Sequence, residues 1–134
     1  MASILRVNTL TDASSNNSTP MATVNQGTAK VWINFNGAGT IAARDSFNVA
    51  SLTDEGVGAY QTNLTTSLDN TNYAVTGSAG GSGTPSGCWH TTGFNVNTYN
   101  TSNTTSSFHQ QIYYTTSNVA DVGFVYSAIL GDLA

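Results

Sequence analysis

An all-β domain follows from three features of the sequence. β-branched and aromatic residues punctuated by Gly, Asn and Asp dominate throughout, and no window of a dozen residues carries apolar groups at the i, i+3, i+4 spacing of an amphipathic helix. Apolar residues instead alternate with polar ones over short runs bounded by turn signals. A strand of this kind has one apolar face and needs a second sheet to cover it, so the expected architecture is an antiparallel β-sandwich, jelly-roll-like in its number of short strands. At 134 residues the chain has the length of one domain.

The elements follow in order. "SILRVNTLT" alternates Ile4 with Arg6 and Leu5 with Val7, as a short strand does, and the turn-rich stretch Asp12 to Pro20 is expected to be a flexible linker. Residues 1–28 are thus read as an N-terminal strand and linker, and residues 29–134 as the β domain. From Ala29 the pattern sharpens: Val31, Ile33 and Phe35 share one face of a strand, while Lys30, Trp32, Asn34 and Asn36 share the other. Asn36 to Gly39, "NGAG", supplies the turn, and the return segment puts Ile41, Ala43, Phe47 and Val49 on one parity before Leu52 breaks it. "TDEGVG" is the next turn.

"AYQTNLTTSL" then places Tyr60, Leu64 and Leu68 on one face and Gln61, Asn63 and Thr65 on the other, a half-buried antiparallel strand. "YAVTGSA" is a further strand, and Ser78 to Gly87 reads as an exposed Gly/Ser loop. "GFNVNTYN", "SFHQQIYYTT" and "VGFVYSAIL" complete the set. The last has apolar groups on both parities, Phe124, Tyr126, Ala128 and Leu130 on one and Val125 and Ile129 on the other, and is expected to be covered on two sides.

Composition narrows the function classes. Charged residues make up 7% of the chain, against about 25% in a typical domain, and the net charge is -4 with no cluster of Lys or Arg. Nucleic acid is therefore not an expected partner, and no apolar run reaches the roughly 18 residues of a spanning helix, so membrane insertion is not expected either. The opening residues lack the pattern of a signal peptide, so synthesis in a cytoplasm with no Sec route out is expected. The single Cys88 leaves stability to packing or to partner chains.

Candidate chemistry is thin. Cys88 and His90 in "GCWH" stand two apart but fall short of a zinc ligand set, and His109 lies in another segment with no acidic neighbour in sequence. Asp54 and Glu55 are adjacent in a turn and expected to be solvated, and Arg44 with Asp45 makes at most a surface pair. No nucleophile elbow, phosphate loop or His-Glu metal helix occurs, so no catalytic residue, cofactor or metal is assigned and the chain is not read as an enzyme. Aromatic residues such as Trp89, His90 and Tyr99, set among Asn and Thr, are types that stack on sugars, although a β core or a subunit contact uses the same residues.

Trp32, Tyr113, Val125 and Ile129 lie opposite their strands' main apolar sets. That is more outward apolar surface than a small soluble monomer usually carries, and a homo-oligomeric contact through these residues would cover it. The alternative is that the linker, or the first strand through Ile4 and Leu5, folds back over this face.

The stretch Ala29 to Ala79 also resembles a module of virion proteins from tailed bacteriophages, many of them cyanophages and other aquatic phages, of the tail-fibre or minor structural type. The matching positions are Trp32, Phe35, Asn36, Gly37, Arg44, Asp45, Phe47 and Tyr73; "ILRVNTLTDASS" and the terminal "VYSAILGD" are similar to that family's entry and ending, while residues 80–116 match no motif and read as a variable outer region. Family fibres are long, with an attachment end and a shaft, whereas here only a short strand and linker precede the β domain. The resemblance therefore implies a small virion component, either a capsid-decorating or cement protein or a short tail-fibre tip. It implies a homotrimer attached to other capsid or tail proteins through Ile4, Leu5 and Val7, with a tip that binds host surface glycan as the alternative.

Overall fold

In the computed structural model, which describes residues 4, 6–81, 103–113 and 118–132, nine strands and one short helix are present among the described residues. They are β1 (Thr9–Thr11), β2 (Ser18–Pro20), α1 (Met21–Gly27), β3 (Ala29–Asn36), β4 (Ala42–Phe47), β5 (Val49–Gly56), β6 (Ala59–Leu64), β7 (Ala74–Gly80), β8 (Ser107–Gln111) and β9 (Phe124–Leu130). All the strand pairings are antiparallel, in a small β1-β2 sheet, a four-stranded sheet of order β4-β3-β9-β7 and a three-stranded sheet of order β5-β6-β8.

β3 forms as its alternation predicts: Val31, Ile33 and Phe35 are buried and Trp32 is exposed. The turn after it is held by the Asn36 side-chain amide, which donates to the carbonyls of Ala38 (2.7 Å) and Thr40 (3.2 Å), with Gly39 at φ +67°. The return strand differs from its expected parity. Asn34 pairs with Asp45 but Phe35 with Ala43, so Arg44 is an extra residue in a β-bulge. The bulge reverses the faces beyond it and turns Phe47 outward, opposite Trp32, where it is 51% exposed. Asn48, at φ +59°, then carries the chain into the other sheet, where Val49 begins β5. Its amide donates to Lys30 and Thr66 carbonyls and its side-chain oxygen accepts from Thr66 N–H at 2.7 Å.

The inner faces of the two larger sheets share one core. Ile33, Phe35 and Val125 from one sheet meet Tyr60 from the other, with Ile112 and Val122, and the rings of Phe35 and Tyr60 stand edge to face at 5.1 Å. A second cluster joins Val31 and Ile129 to Phe108 and Leu68. Between them the buried Gln110 side chain donates to the Thr62 hydroxyl (2.8 Å) and accepts from that of Ser127, so a hydrogen-bonded link crosses the core from β8 to β9.

Before β3 the structure departs from a flexible linker. β1 and β2 pair around a turn built on Asp12, whose carboxylate accepts from Asn16 N–H (3.0 Å) and the Asn17 amide (2.7 Å). The Asn17 bond, foremost, holds the Asp12 carboxyl below its usual pKa. α1 follows, a seven-residue helix too short to register as a helical period. Its last turn is closed by Thr28, whose hydroxyl donates to the Asn25 carbonyl at 2.9 Å, and by the Lys30 ammonium on the same carbonyl. The helix buries none of its residues.

Candidate interaction surface

The outer face of the four-stranded sheet is where exposed apolar groups gather. Cross-strand register sets Trp32 between Phe47 and Ala128, Asn34 between Asp45 and Tyr126, and Leu130 beside Ala74. Trp32, Phe124, Tyr126 and Leu130 are each about two-fifths exposed and Phe47 half exposed. Since a large aromatic side chain carries roughly 150–250 Å² when free, these five leave on the order of 400 Å² of apolar surface, as large as the largest patch on many monomers.

Arg44 organises one end of this face. As the bulge residue it lies across the sheet and donates to the Asn34 side-chain oxygen (3.3 Å) and the Gly123 carbonyl (2.6 Å), with its guanidinium 4.4 Å from the Phe124 ring centre. The Phe124 and Tyr126 rings lie nearly parallel, 7° apart, at 6.3 Å. The charge is thus engaged by the sheet itself, and the Phe124 ring has Arg44 and Tyr126 as its neighbours.

No family model, curated protein or solved structure matches this chain.

The expected interface set is corrected in part. Trp32 is on the outer face as read, but Val125 and Ile129 are fully buried in the core and Phe124, Tyr126 and Leu130 point outward in their place. β9 offers apolar groups to both sides, and the parity with the larger side chains is the outer one. Nor is β9 covered on two sides, since those three outward side chains remain accessible among the described residues. Tyr113 lies just beyond β8, in an isolated bridge with Val119, half-buried with its hydroxyl donating to the Gln111 side chain at 2.8 Å. Ile4 is 74% exposed and Val7 39%, while Leu5 and the Cys88, Trp89, His90 and Tyr99 readings lie outside the described residues.

The outer face of the three-stranded sheet is polar. Gln61 donates to Asn63 (2.8 Å), and Asn63 donates to the hydroxyls of Ser51 (3.0 Å) and Thr53 (3.2 Å). Asp54 and Glu55 lie in β5 rather than in a turn, because the strand runs on to Gly56. This places the Glu55 carboxylate 2.9 Å from His109 Nδ1, a pair that sequence reading missed because 54 residues separate its members. The described groups satisfy one another along this face. Among the described residues no group of three or more His, Cys, Asp or Glu is placed to hold a metal ion.

Proposed function

We propose that this chain is a non-enzymatic structural protein of a tailed-bacteriophage virion, a capsid-decorating or cement protein or a short tail-fibre tip, built as a β-sandwich that assembles with itself, a homotrimer in the simplest form. One observation carries the reading: the aromatic outer face of the four-stranded sheet, with Trp32, Phe47, Phe124, Tyr126 and Leu130 exposed side by side. A face of this size on so weakly charged a chain is suited to a subunit contact, where apolar groups fill the centre and charge is depleted. The low charge also suits a particle that meets changing salt, because packing and neutral hydrogen bonds are little screened. Trp32, Arg44, Asp45 and Phe47, four of the positions shared with the phage module, cluster on or beside this face.

The reading is tested by mass spectrometry of purified particles from the phage that encodes the chain. Peptides of this protein at a fixed number per particle support it; their presence only in the lysate and never on particles contradicts it. The alternative is a tail tip that binds host glycan, for which the exposed Phe124 and Tyr126 beside Asn34 and Arg44 are residue types that contact sugars. Titration with host surface polysaccharide separates the two, since the structural role requires no saturable sugar binding.

A further inference from the structure

We infer that the edge of β7 left unpaired among the described residues accepts, as an added strand, the N-terminal segment of a second copy of this chain, so that the copies join head to tail. The inference rests on the reading that the protein assembles with itself, and it adds to the aromatic face a strand-addition contact at the edge of the same sheet.

Sheet edges that must not pair with other chains are guarded by charge, by proline or by bulges. β4 carries Arg44, Asp45 and a register shift. β5 carries Asp54, Glu55 and two register shifts. β8 is buried at all five positions. β7 has none of these devices. Ala74–Gly80 contains no charged residue and no proline, and it pairs with β9 without interruption from Ala74 opposite Leu130 to Gly80 opposite Phe124. Its core-facing Val75 and Ala79 are only half-buried at the margin of the core. In an antiparallel pair alternate N–H and C=O groups point away from the partner strand, and among the described residues nothing pairs with that side of β7.

The N-terminal segment has the complementary properties. Residues 6–20 are exposed throughout, and α1 buries nothing, so Ile4 and residues 6–27 contribute no fully buried side chain to the body of the protein. They supply the 20–30 residues a side that a standard interface uses. Val7 stands on one parity and Ile4 and Leu10 on the other, so a strand made from this segment has apolar groups for both faces. One set would cover Val75 and Ala79; the other would extend the aromatic outer face. Charge agrees: the start of β7 is flanked by exposed Asp69 and Asp132, tied by a backbone bond of 2.9 Å, and the segment brings Arg6. Donor and acceptor are different surfaces, so the contact is heterologous, and such contacts give rings where the rotation between copies closes and filaments where it does not.

Two full-length variants test this by complementation. Val7→Asp with Leu10→Asp spoils the donor and leaves the β7 edge intact; Thr76→Lys with Ser78→Lys guards the edge and leaves the donor intact. Each alone is expected at the monomer mass of 13.9 kDa with an unchanged β circular dichroism spectrum, and an equimolar mixture at twice that mass, because one good interface remains. A donor variant that keeps the wild-type oligomer mass, or a mixture that stays monomeric, overturns the inference while leaving self-assembly through another surface intact. A wild-type chain that is itself monomeric overturns both.

Discussion

The Tyr60 hydroxyl donates a 2.6 Å hydrogen bond to the Gly37 carbonyl, tying the three-stranded sheet to the turn that ends β3 in the other. The same hydroxyl lies 3.1 Å from Asp121, whose carboxylate also accepts from Gly58 N–H at 2.6 Å. The contact is possible only because residue 37 has no side chain: a Cβ there would sit 2.7 Å from the Tyr60 oxygen and 3.0 Å from the Val122 carbonyl.

Gly37→Ala is therefore expected to lower stability by about 1–3 kcal/mol, the usual cost of forcing atoms into a packed site. Tyr60→Phe, which keeps the ring against Phe35 and removes only the hydroxyl, is expected to cost about 1 kcal/mol. Urea denaturation of the two variants checks the order; equal stability of Gly37→Ala and wild type contradicts the close approach.

The buried Gln110 link across the core gives a second expectation. Gln110→Leu leaves the Thr62 and Ser127 hydroxyls without this partner and should cost roughly 1–3 kcal/mol for each group left unpaired. Adding Thr62→Val and Ser127→Ala removes the stranded groups and should restore most of the loss. A triple variant no more stable than Gln110→Leu alone, measured by urea denaturation, contradicts the network.

Alkaline pH should unfold the protein through two tyrosines. Burial pushes the Tyr73 phenol up to about 12, and burial with Asp121 nearby raises Tyr60 further. Both pKa values are raised on folding, so the neutral phenol favours the folded state. That stability is complete below the ordinary value near 10 and is lost as pH rises from there through 12 and beyond. Thermal midpoints should stay flat up to about pH 10 and fall above it, with a shallower fall in Tyr73→Phe. A midpoint that does not fall above that pH contradicts the assignment.

Trp32→Ala and Phe47→Ser remove exposed aromatic surface from the outer face without touching the core. Both are expected to weaken the oligomer, seen as a lower mass at equal concentration in sedimentation, while the β circular dichroism spectrum of the subunit is kept. An unchanged association constant in both variants places the contact elsewhere.

Much of this was legible in the sequence, and the exceptions have physical causes. β3 was readable because Val31, Ile33 and Phe35 share one parity and are buried; β6 was readable through Tyr60 to Leu64, but the strand ends there and Leu68 reaches the core from the segment after it. β4 was not, because the bulge at Arg44 reverses parity in mid-strand and no residue type announces it. β9 was ambiguous because both parities are apolar, and the choice of Val125 and Ile129 for the core depends on neighbouring strands rather than on β9 itself. α1 is about two turns of helix with no buried residue, so periodicity had nothing to detect. The pairing of Glu55 with His109 is a product of register between β5, β6 and β8, which lies beyond local pattern.

On the proposed function, the aromatic face of the four-stranded sheet is covered by other copies of the chain. The most direct test is the native mass of the full-length protein by light scattering over a range of concentrations. A discrete multiple of the 13.9 kDa subunit is expected, threefold for the trimer, with tryptophan fluorescence shifted to the blue in the assembled form. A mass of 13.9 kDa at every concentration would contradict it, because that aromatic face would then stand open to water.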